Sequence, residues 1–551
     1  MRNSLLISLA FALVPFCFGQ SRDTLEIFAL RVQFKEETTD NSLTTGTGLF
    51  DSDKDTANAN YSLDPSGHRA SAAYWRKHFE FANAYFQAVS GGALTIEARI
   101  FPEDSSAYNI DKYIIDYNRT AKKKDEKTAE FNEARSRDYM TFVWDAVNAA
   151  NSSSKSPFKI APPASSHRKR VYMIIHAGAS RLVDGGTMGT NGADTQGDFM
   201  DVFVTQDDWK YLASDTARAA DRNGMVLRGT TLDTLRTVMV TSETASQDGL
   251  NWGVNGIIID QIGRELGMPD SYDVVKGISR LGYFDLMDFA GYNAGNGFFP
   301  VIPSAWMRAY MGWANVREVR PSSDGSVKID LNAAGMGTGT EIIKVPLNAN
   351  EYLLVENRER SWNKDGSVTV RLGSAQDDSA YTEVTVPADS LYTVFQDSIC
   401  TSSGKCSVNK KKAKGIVLSL SSYDAGLPAS GIAVWKVNDW YLKQALPYGI
   451  VNYWGGDTLR DHQFGIQLVE SDGVLSIGKT FKNALGQDTY DYGSGADLLP
   501  HKRIGDNSPK DTVWSILATG YGNTAATQGG YTGIKIKASL PTEARVEKTS
   551  N

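Results

Sequence analysis

Four polar side chains with the spacing of a metal site lie near the middle of the chain. Asp260 and Arg264 are four residues apart and so project from one face of a helix, while Gln261 follows Asp260 directly. Asp270 comes three residues after Gly267, where the chain can turn back. The oxygen atoms of Asp260, Gln261 and Asp270 suit calcium or magnesium better than zinc, but the fixed charge of Arg264 would repel any cation. We therefore expect Arg264 to pair with Asp260 and Asp270, with no bound metal; calcium is the alternative.

The segment Asp260–Asp273 resembles the active-site helix of the immune inhibitor A family of secreted zinc metallopeptidases. That family's pattern is His-Glu-x-x-His-x-x-Gly-x-x-Asp followed by Tyr-Asp, in which the two histidines grip zinc and the glutamate is the general base for the metal-bound water. This chain matches the scaffold of the pattern at Gly263, Leu266, Gly267, Pro269, Asp270, Tyr272 and Asp273. Asp260 and Arg264 stand in place of the histidines, and Gln261, which cannot abstract a proton, stands in place of the base. The resemblance thus implies a metallopeptidase fold without catalytic residues, although zinc would be expected for the family.

Further segments resemble the same family in the same order. The stretch Gly282–Met287 is similar to the methionine turn that lies beneath the family's metal site, with Met287 as its methionine. Other similar stretches are 85–92, 303–313, 352–358, 426–431, 433–439 and 469–473. Together these stretches imply that the resemblance covers nearly the whole chain after the N-terminus.

Hydrophobic patterning divides the chain into two parts. Up to about residue 320, buried-type strands such as Glu26–Phe34 and Val171–His176 alternate with amphipathic helices such as Ala73–Val89 and Gly256–Leu266, which favours an α/β (α+β) domain. Beyond it, short apolar runs such as Ile416–Leu420 are separated by Gly, Asp and Ser, which is typical of β structure. With the resemblance, we expect a metzincin-like metalloprotease domain over residues 20–320 and a β-rich domain over 321–551.

The N-terminus predicts export. Arg2, an apolar run from Leu5 to Phe18 and the small Gly19 have the layout of a signal peptide over residues 1–19. The run is short for a transmembrane helix, and no later stretch of the sequence could span a bilayer. We therefore expect a secreted, extracellular protein, with a retained N-terminal anchor as the alternative.

Charge and cysteine content add two expectations. The formal net charge of the 551 residues is -7, which gives no reason to expect nucleic acid as a partner. After removal of the signal peptide, Cys400 and Cys406 remain, on either side of a turn-rich stretch. In an oxidising compartment they are expected to form a small disulfide across a hairpin.

Other polar residues offer weaker candidates. His68, His78, His167, His176, His462 and His501 include no pair at ligand spacing on one helix, and His78 and His176 fit core positions better than a site. The loop with Asp184, Asp194, Asp198 and Asp201, and the later Asp497 and Asp506, could bind calcium, but ordinary turns explain them better. Glu265 projects from a different helix face than Gln261. Tyr and Trp residues of the second half could form a glycan-binding face, although such residues more often fill sheet cores.

These observations favour an exported pseudopeptidase that binds an extended peptide or a protein, for instance by strand addition to a sheet edge. An active zinc metalloendopeptidase with an atypical site is one alternative. A structural or adhesive surface protein is the other.

Overall fold

The computed structural model describes most of the chain from residue 23 onward. The described residues are 23–39, 41–52, 62–182, 196–227, 233–246, 251–274, 277–320, 326–375, 377, 379–391, 398–400, 406–408, 413–452, 464–472, 475–482, 488–499, 514–517, 534–539 and 543–548. The predicted signal peptide, Asp184, Asp194, His462, His501 and Asp506 lie outside them.

The protein is a mixed α/β structure with several sheets and few helices. The helices are α1 (Ala72–Val89), α2 (Thr128–Ser152), α3 (Asn255–Glu265), α4 (Phe289–Tyr292), α5 (Ala305–Tyr310) and α6 (Asp439–Ala445). The strands are β1 (Asp23–Gln33), β2 (Leu94–Phe101), β3 (Tyr108–Asn109), β4 (Arg168–Ala179), β5 (Val202–Val204), β6 (Met225–Leu227), β7 (Asp233–Leu235), β8 (Val238–Thr244), β9 (Val316–Glu318), β10 (Ser326–Asp330), β11 (Ile342–Pro346), β12 (Glu351–Arg358), β13 (Ser367–Gly373), β14 (Tyr381–Pro387), β15 (Ser398–Cys400), β16 (Cys406–Val408), β17 (Ile416–Leu420), β18 (Gly431–Asn438), β19 (Ile466–Leu468), β20 (Thr480–Lys482), β21 (Asp488–Tyr490), β22 (Trp514–Leu517), β23 (Ile534–Ser539) and β24 (Glu543–Lys548).

The first half is built on one mainly parallel sheet of order β2-β1-β4-β8-β5, with β3 also paired to β1. The strands β1, β2, β3, β4 and β8 run parallel, whereas the edge strand β5 is antiparallel to β8. β1 and β4 are apolar on both faces because helices cover both sides of the sheet. Helix α1 leads from β1 to β2, and α2 leads from β3 to β4 on the other side of β1. Since parallel crossovers are right-handed, α1 and α2 lie on opposite faces.

Helix α1 shows how local sequence sets the bounds of an element. The hydroxyl of Ser71 accepts a hydrogen bond from the backbone N–H of Ala73 and so caps the first turn. Large apolar side chains recur on one side of the helix and are buried against the sheet and α3. Gly91 and Gly92 then adopt positive φ values of 62° and 81°, which end the helix where the sequence predicted.

The second half consists of several smaller sheets. A five-stranded sheet has the order β19-β18-β12-β11-β9, a three-stranded sheet the order β14-β13-β17, and a four-stranded sheet the order β10-β24-β23-β22. Two two-stranded ribbons pair β15 with β16 and β20 with β21, and a third ribbon, of β6 and β7, belongs to the first half. The largest apolar cluster takes in residues from both halves, among them Trp306, Val370 and Trp435. The halves therefore share a core, and the domain boundary near residue 320 stays a prediction.

The ribbon of β15 and β16 is the hairpin expected around the two cysteines. Its register places Cys400 directly opposite Cys406. A disulfide between them stays a prediction. Among the described residues, no helix is long and apolar enough to cross a bilayer.

Candidate functional site

Helix α3 carries the residues singled out by the sequence and is buried along nearly its whole length. Its side chains Ile257, Ile258, Ile259 and Ile262 are fully buried in the core it forms with β8, β5 and α1. Asp260 lies on the same helix and is only 3% exposed. Polar groups at these positions are thus held in a low-dielectric setting, where an uncompensated charge is costly.

A tight turn brings Asp270 back to the helix. Gly267 has a φ of 91°, a conformation that favours glycine, and its N–H donates to the carbonyl of Arg264 at 2.9 Å. Asp270 is then fixed to the chain at residues 449–451: its N–H donates to the Gly449 carbonyl at 2.8 Å, and its carbonyl accepts from Val451 N–H at 3.0 Å. The predicted sharp turn is confirmed, and the second half of the chain supplies its anchor.

The guanidinium of Arg264 lies between the carboxylates of Asp260 and Asp270. Its Nε donates to Oδ2 of Asp260 at 3.1 Å, and its Nη2 donates to Oδ1 of the same residue at 3.1 Å. Toward Asp270, Nη1 lies 3.3 Å from Oδ2 and Nη2 lies 2.8 Å from Oδ1. Asp260 therefore accepts two hydrogen bonds from one planar cation, while Asp270 accepts one and makes a closer ion-pair contact; the predicted pairing is confirmed.

Burial shapes the ionisation of these three groups. It raises the pKa of Asp260, while the charge of Arg264 opposes that rise. Burial also raises the pKa of Asp270 to about 6, again against the effect of Arg264. For Arg264, burial alone would lower the pKa, but the two carboxylates outweigh it and raise the pKa well above its ordinary value. The guanidinium is a permanent cation facing two acids, so the cluster is charge-neutral with one acid protonated and carries one net negative charge with both ionised.

Gln261 and Glu265, the two polar neighbours of this cluster on α3, do not supply a general base there. Gln261 is buried, and its Oε1 lacks a hydrogen-bond partner among the described residues. Glu265 points away from Arg264, as its position on a different helix face predicted, and forms an ion pair with Lys169 Nζ at 2.7 Å. Neither side chain can act as a proton acceptor beside Arg264.

Met287 lies against helix α3 at Gly263, between Asp260 and Arg264. A Cβ atom added to Gly263 would stand only 2.9 Å from Met287 Sδ, so the glycine lets the turn at residues 282–287 approach α3 closely. Met287 is fully buried. The methionine expected from the sequence is therefore in contact with the helix that carries Asp260 and Arg264.

A buried ion network fixes this turn to the second half of the chain. Arg358 donates to Asp424 through Nε at 2.6 Å and to the carbonyl of Phe284 through Nη1 at 2.7 Å. Glu356 accepts from Arg308 at 2.8 Å and from the indole of Trp435 at 2.8 Å. All four charged side chains of this network are fully buried.

The same turn is tied to the segment after α3. Asp285 accepts hydrogen bonds from the hydroxyl of Ser271 and from the backbone N–H of Ser304. Burial raises the pKa of Asp285, and these hydrogen bonds oppose the rise. Ser271 follows Asp270 directly, so one aspartate couples the turn to the chain beside the Arg264 cluster.

The remaining predicted candidates are dispersed. His78 is buried in α1 and contacts Asn255 Oδ1 through Nδ1 at 2.7 Å; His176 is buried in β4, where burial lowers its pKa to about 4. Asp198 accepts hydrogen bonds from the backbone N–H and the hydroxyl of Thr45, and Asp201 accepts one from the backbone N–H of Ser242 at 2.7 Å. The two histidines are core residues, as expected, and the two aspartates fasten loops to the sheet.

Among the described residues of the second half, three acids form a cluster. Carboxylate oxygens of Glu470, Asp472 and Asp497 lie within 4.8 Å of one another. Glu470 accepts from the backbone N–H groups of Ser476 and Ile477, and Asp497 from that of Ser494. These hydrogen bonds account for the buried acids as parts of local turns.

The residues at the Arg264 cluster do not fit zinc. A catalytic zinc site needs three protein ligands of the His, Glu, Asp or Cys type and an open position for water. Here Asp260 and Asp270 are both engaged by a permanent cation, and Gln261 is a poor ligand. No catalytic step through zinc can be derived from these side chains.

Sequence reasoning missed the residues that position this site from a distance. Arg308, Glu341, Glu356, Arg358 and Asp424 lie within or beside apolar runs, and a charge in such a run is the signal that could have revealed them.

A scan against protein-family models and a search of the curated proteins found no match to this chain.

Proposed function

We propose that this chain is an exported member of the immune inhibitor A-type metallopeptidase family that has lost catalysis and acts by binding a peptide or protein. The observation that carries the proposal is the guanidinium of Arg264, which bridges Asp260 and Asp270. In the family pattern these three positions hold zinc ligands. An arginine that pairs with both neighbours supplies the positive charge that the metal would bring, without water activation.

The architecture supports the family assignment in its coarse features. A mainly parallel sheet with an antiparallel edge strand precedes the helix, a tight glycine turn follows it, and a buried methionine packs against it. The metzincin-like fold is part of this proposal.

Peptide binding has a structural basis at β5. Among the described strands this edge strand pairs only with β8, and α3 packs beside both. An extended peptide could therefore add to the outer edge of β5 through backbone hydrogen bonds.

Metal analysis of the purified mature protein, together with a casein cleavage assay with and without chelator, tests the loss of catalysis. We expect no stoichiometric zinc and no chelator-sensitive cleavage. About one zinc per chain with chelator-sensitive cleavage would establish the active enzyme instead.

A reconstruction tests whether the site descends from a zinc site. The variant Asp260→His, Gln261→Glu and Arg264→His restores the family pattern while Asp270 keeps its anchored position. We expect this variant to bind about one zinc per chain, whereas Arg264→Ala alone binds none. A folded triple variant that takes up no zinc would refute the assignment of these positions.

A further inference from the structure

A cavity on the α2 face of the first sheet lies away from the Arg264 cluster. It has a volume of about 370 Å³ and opens between α2, β5 and the 3-10 helix at residues 206–214. Helix α3 packs with α1, on the opposite face from α2. Pockets of about 300–1,000 Å³ hold small organic ligands. The proposed function uses the backbone edge of β5, whereas this cavity is lined by the side chains of Val202 and Val204.

Its walls are mostly apolar. Tyr139 and Phe199 form one side, with ring centroids 5.5 Å apart, and Val202 and Val204 of β5 form another. The hydroxyl of Tyr139 donates to the Met200 carbonyl at 3.0 Å, which fixes the ring. The cavity is therefore preformed for an apolar or aromatic group.

Arg135, half-buried and without a carboxylate partner among the described residues, lines the same cavity. Within the described part of the chain, the Arg135 guanidinium makes one long hydrogen bond, from Nη2 to Asn118 Oδ1 at 3.5 Å, and lies 5.8 Å from the centre of the Phe131 ring. Asn118 cannot rotate freely, because its Nδ2 donates to the carbonyls of Gly197 and Asp198 at 3.2 and 2.8 Å. Most of the donors of Arg135 are thus left for a ligand.

The surroundings of Arg135 disfavour its isolated charge. Burial lowers its pKa, and the charge of Arg181 lowers it further. Asp208, the acid that lines the cavity, accepts instead from the N–H and hydroxyl of Thr205. An anion beside Arg135 would relieve this unfavourable electrostatic setting.

We propose that this cavity binds an apolar carboxylate, with the carboxylate on Arg135 and the apolar body against Tyr139 and Phe199. Planar two-pronged pairing with a carboxylate is the interaction for which a guanidinium is best suited. The C-terminus of a peptide ending in an apolar residue and a free small acid share this chemistry.

Calorimetric titration of the mature protein tests the site with two matched probes, N-acetyl-phenylalanine and N-acetyl-phenylalaninamide. We expect the acid to bind and the amide to bind at least about tenfold more weakly, as the loss of a charge-assisted contact requires. Equal binding of both probes, or of neither, would overturn the proposal.

Two substitutions on α2 separate the site from general charge effects. Arg135→Gln should weaken binding of the acid by about tenfold or more, while Arg135→Lys should keep part of it. Arg137→Gln, on the same helix but outside the cavity lining, removes the same charge and should leave binding unchanged. Equal losses in Arg135→Gln and Arg137→Gln would refute specific recognition.

A tetrapeptide ending in phenylalanine identifies the source of the carboxylate. Binding as tight as that of N-acetyl-phenylalanine supports the proposal and assigns the site to peptide C-termini. Binding of the short acid alone supports it and assigns the site to free small acids.

Discussion

Arg264 shows how one side chain can balance two buried acids. An exposed acid–base pair four residues apart on a helix stabilises by only about 0.3–0.5 kcal/mol. The Arg264 side chain is 17% exposed, and that of Asp260 only 4%. Removing the cation therefore leaves carboxylates with little water to replace it, and the cost is larger than for a surface pair.

We predict that Arg264→Ala lowers the free energy of unfolding by about 1–3 kcal/mol, because two acids lose their counterion. Urea denaturation at neutral pH measures the change. The matched control combines Asp260→Asn, Arg264→Met and Asp270→Asn, which removes all three charges and should recover much of the loss. Unchanged stability in Arg264→Ala would show that the pairing does not support the fold.

A second prediction at the residue scale concerns Glu470. Burial raises the pKa of this side chain from its ordinary value of 4.5 to about 8. The folded state then holds the proton more tightly than the unfolded state, so the free energy of unfolding falls as pH rises from about 4.5 to about 8. Asp497 adds to the fall below pH 6, since burial also raises its pKa to about 6.

Glu470→Gln should therefore be more stable relative to the wild type at pH 8 than at pH 5. Urea denaturation of both proteins at the two pH values gives this difference, in which titrating groups distant from Glu470 cancel. A difference that does not change with pH would contradict the raised pKa.

At the scale of elements, the local pattern of apolar and turn residues carried most of the information. The strand Ile416–Leu420 has the bounds that its apolar run predicted, and helix α3 differs by one residue at each end from the predicted Gly256–Leu266. The pairing of Arg264 was also predictable, because residues four apart meet on one helix face.

Contacts between distant elements could not be predicted in the same way. Arg358 meets Asp424 and the Phe284 carbonyl only because three separate segments fold together. The cavity at Arg135 has the same origin, since its lining runs from Asn118 to Tyr211. Periodicity reports which side of an element is buried, but not which element covers it.

The turn after α3 gives a prediction at this scale. Gly267→Ala should cost about 1–2 kcal/mol, because the φ of 91° disfavours a residue with a Cβ. Gly267→Asn is the control, since asparagine tolerates positive φ better and should cost less. Thermal unfolding followed by circular dichroism ranks the three proteins, and an alanine variant as stable as the wild type would show that the turn relaxes.

At the scale of the whole molecule, the two halves complete each other. Arg308 in the first half is fully buried and pairs with Glu341 at 2.6 Å and with Glu356 at 2.8 Å, both in the second. Conversely, two residues of the second half bind backbone groups of the first. Arg358 donates a hydrogen bond to the carbonyl of Phe284, and Asp424 accepts one from the N–H of Ile302. A fragment that stops at the predicted boundary would leave a buried cation without partners.

We therefore predict that residues 20–320 expressed alone do not form a stable fold. Circular dichroism and proteolysis of the fragment test this, with residues 20–551 as the control. Within the full chain, Arg308→Met should cost about 3–5 kcal/mol, since Glu341 and Glu356 both lose a buried counterion and, of these two, Glu356 keeps an ion pair with Arg358. A cooperative, protease-resistant fragment would show that the shared core is dispensable.

The bridge that Arg264 makes between Asp260 and Asp270 also changes what the protein needs from its surroundings. A metal ion has to be captured from the medium and can be withdrawn again by a chelator, by acid or by a competing ligand. The guanidinium of Arg264 is part of the polypeptide itself and is therefore present in every molecule. The ion pairs of Asp260 and Asp270 therefore form as soon as the polypeptide folds, whatever the metal content of the medium.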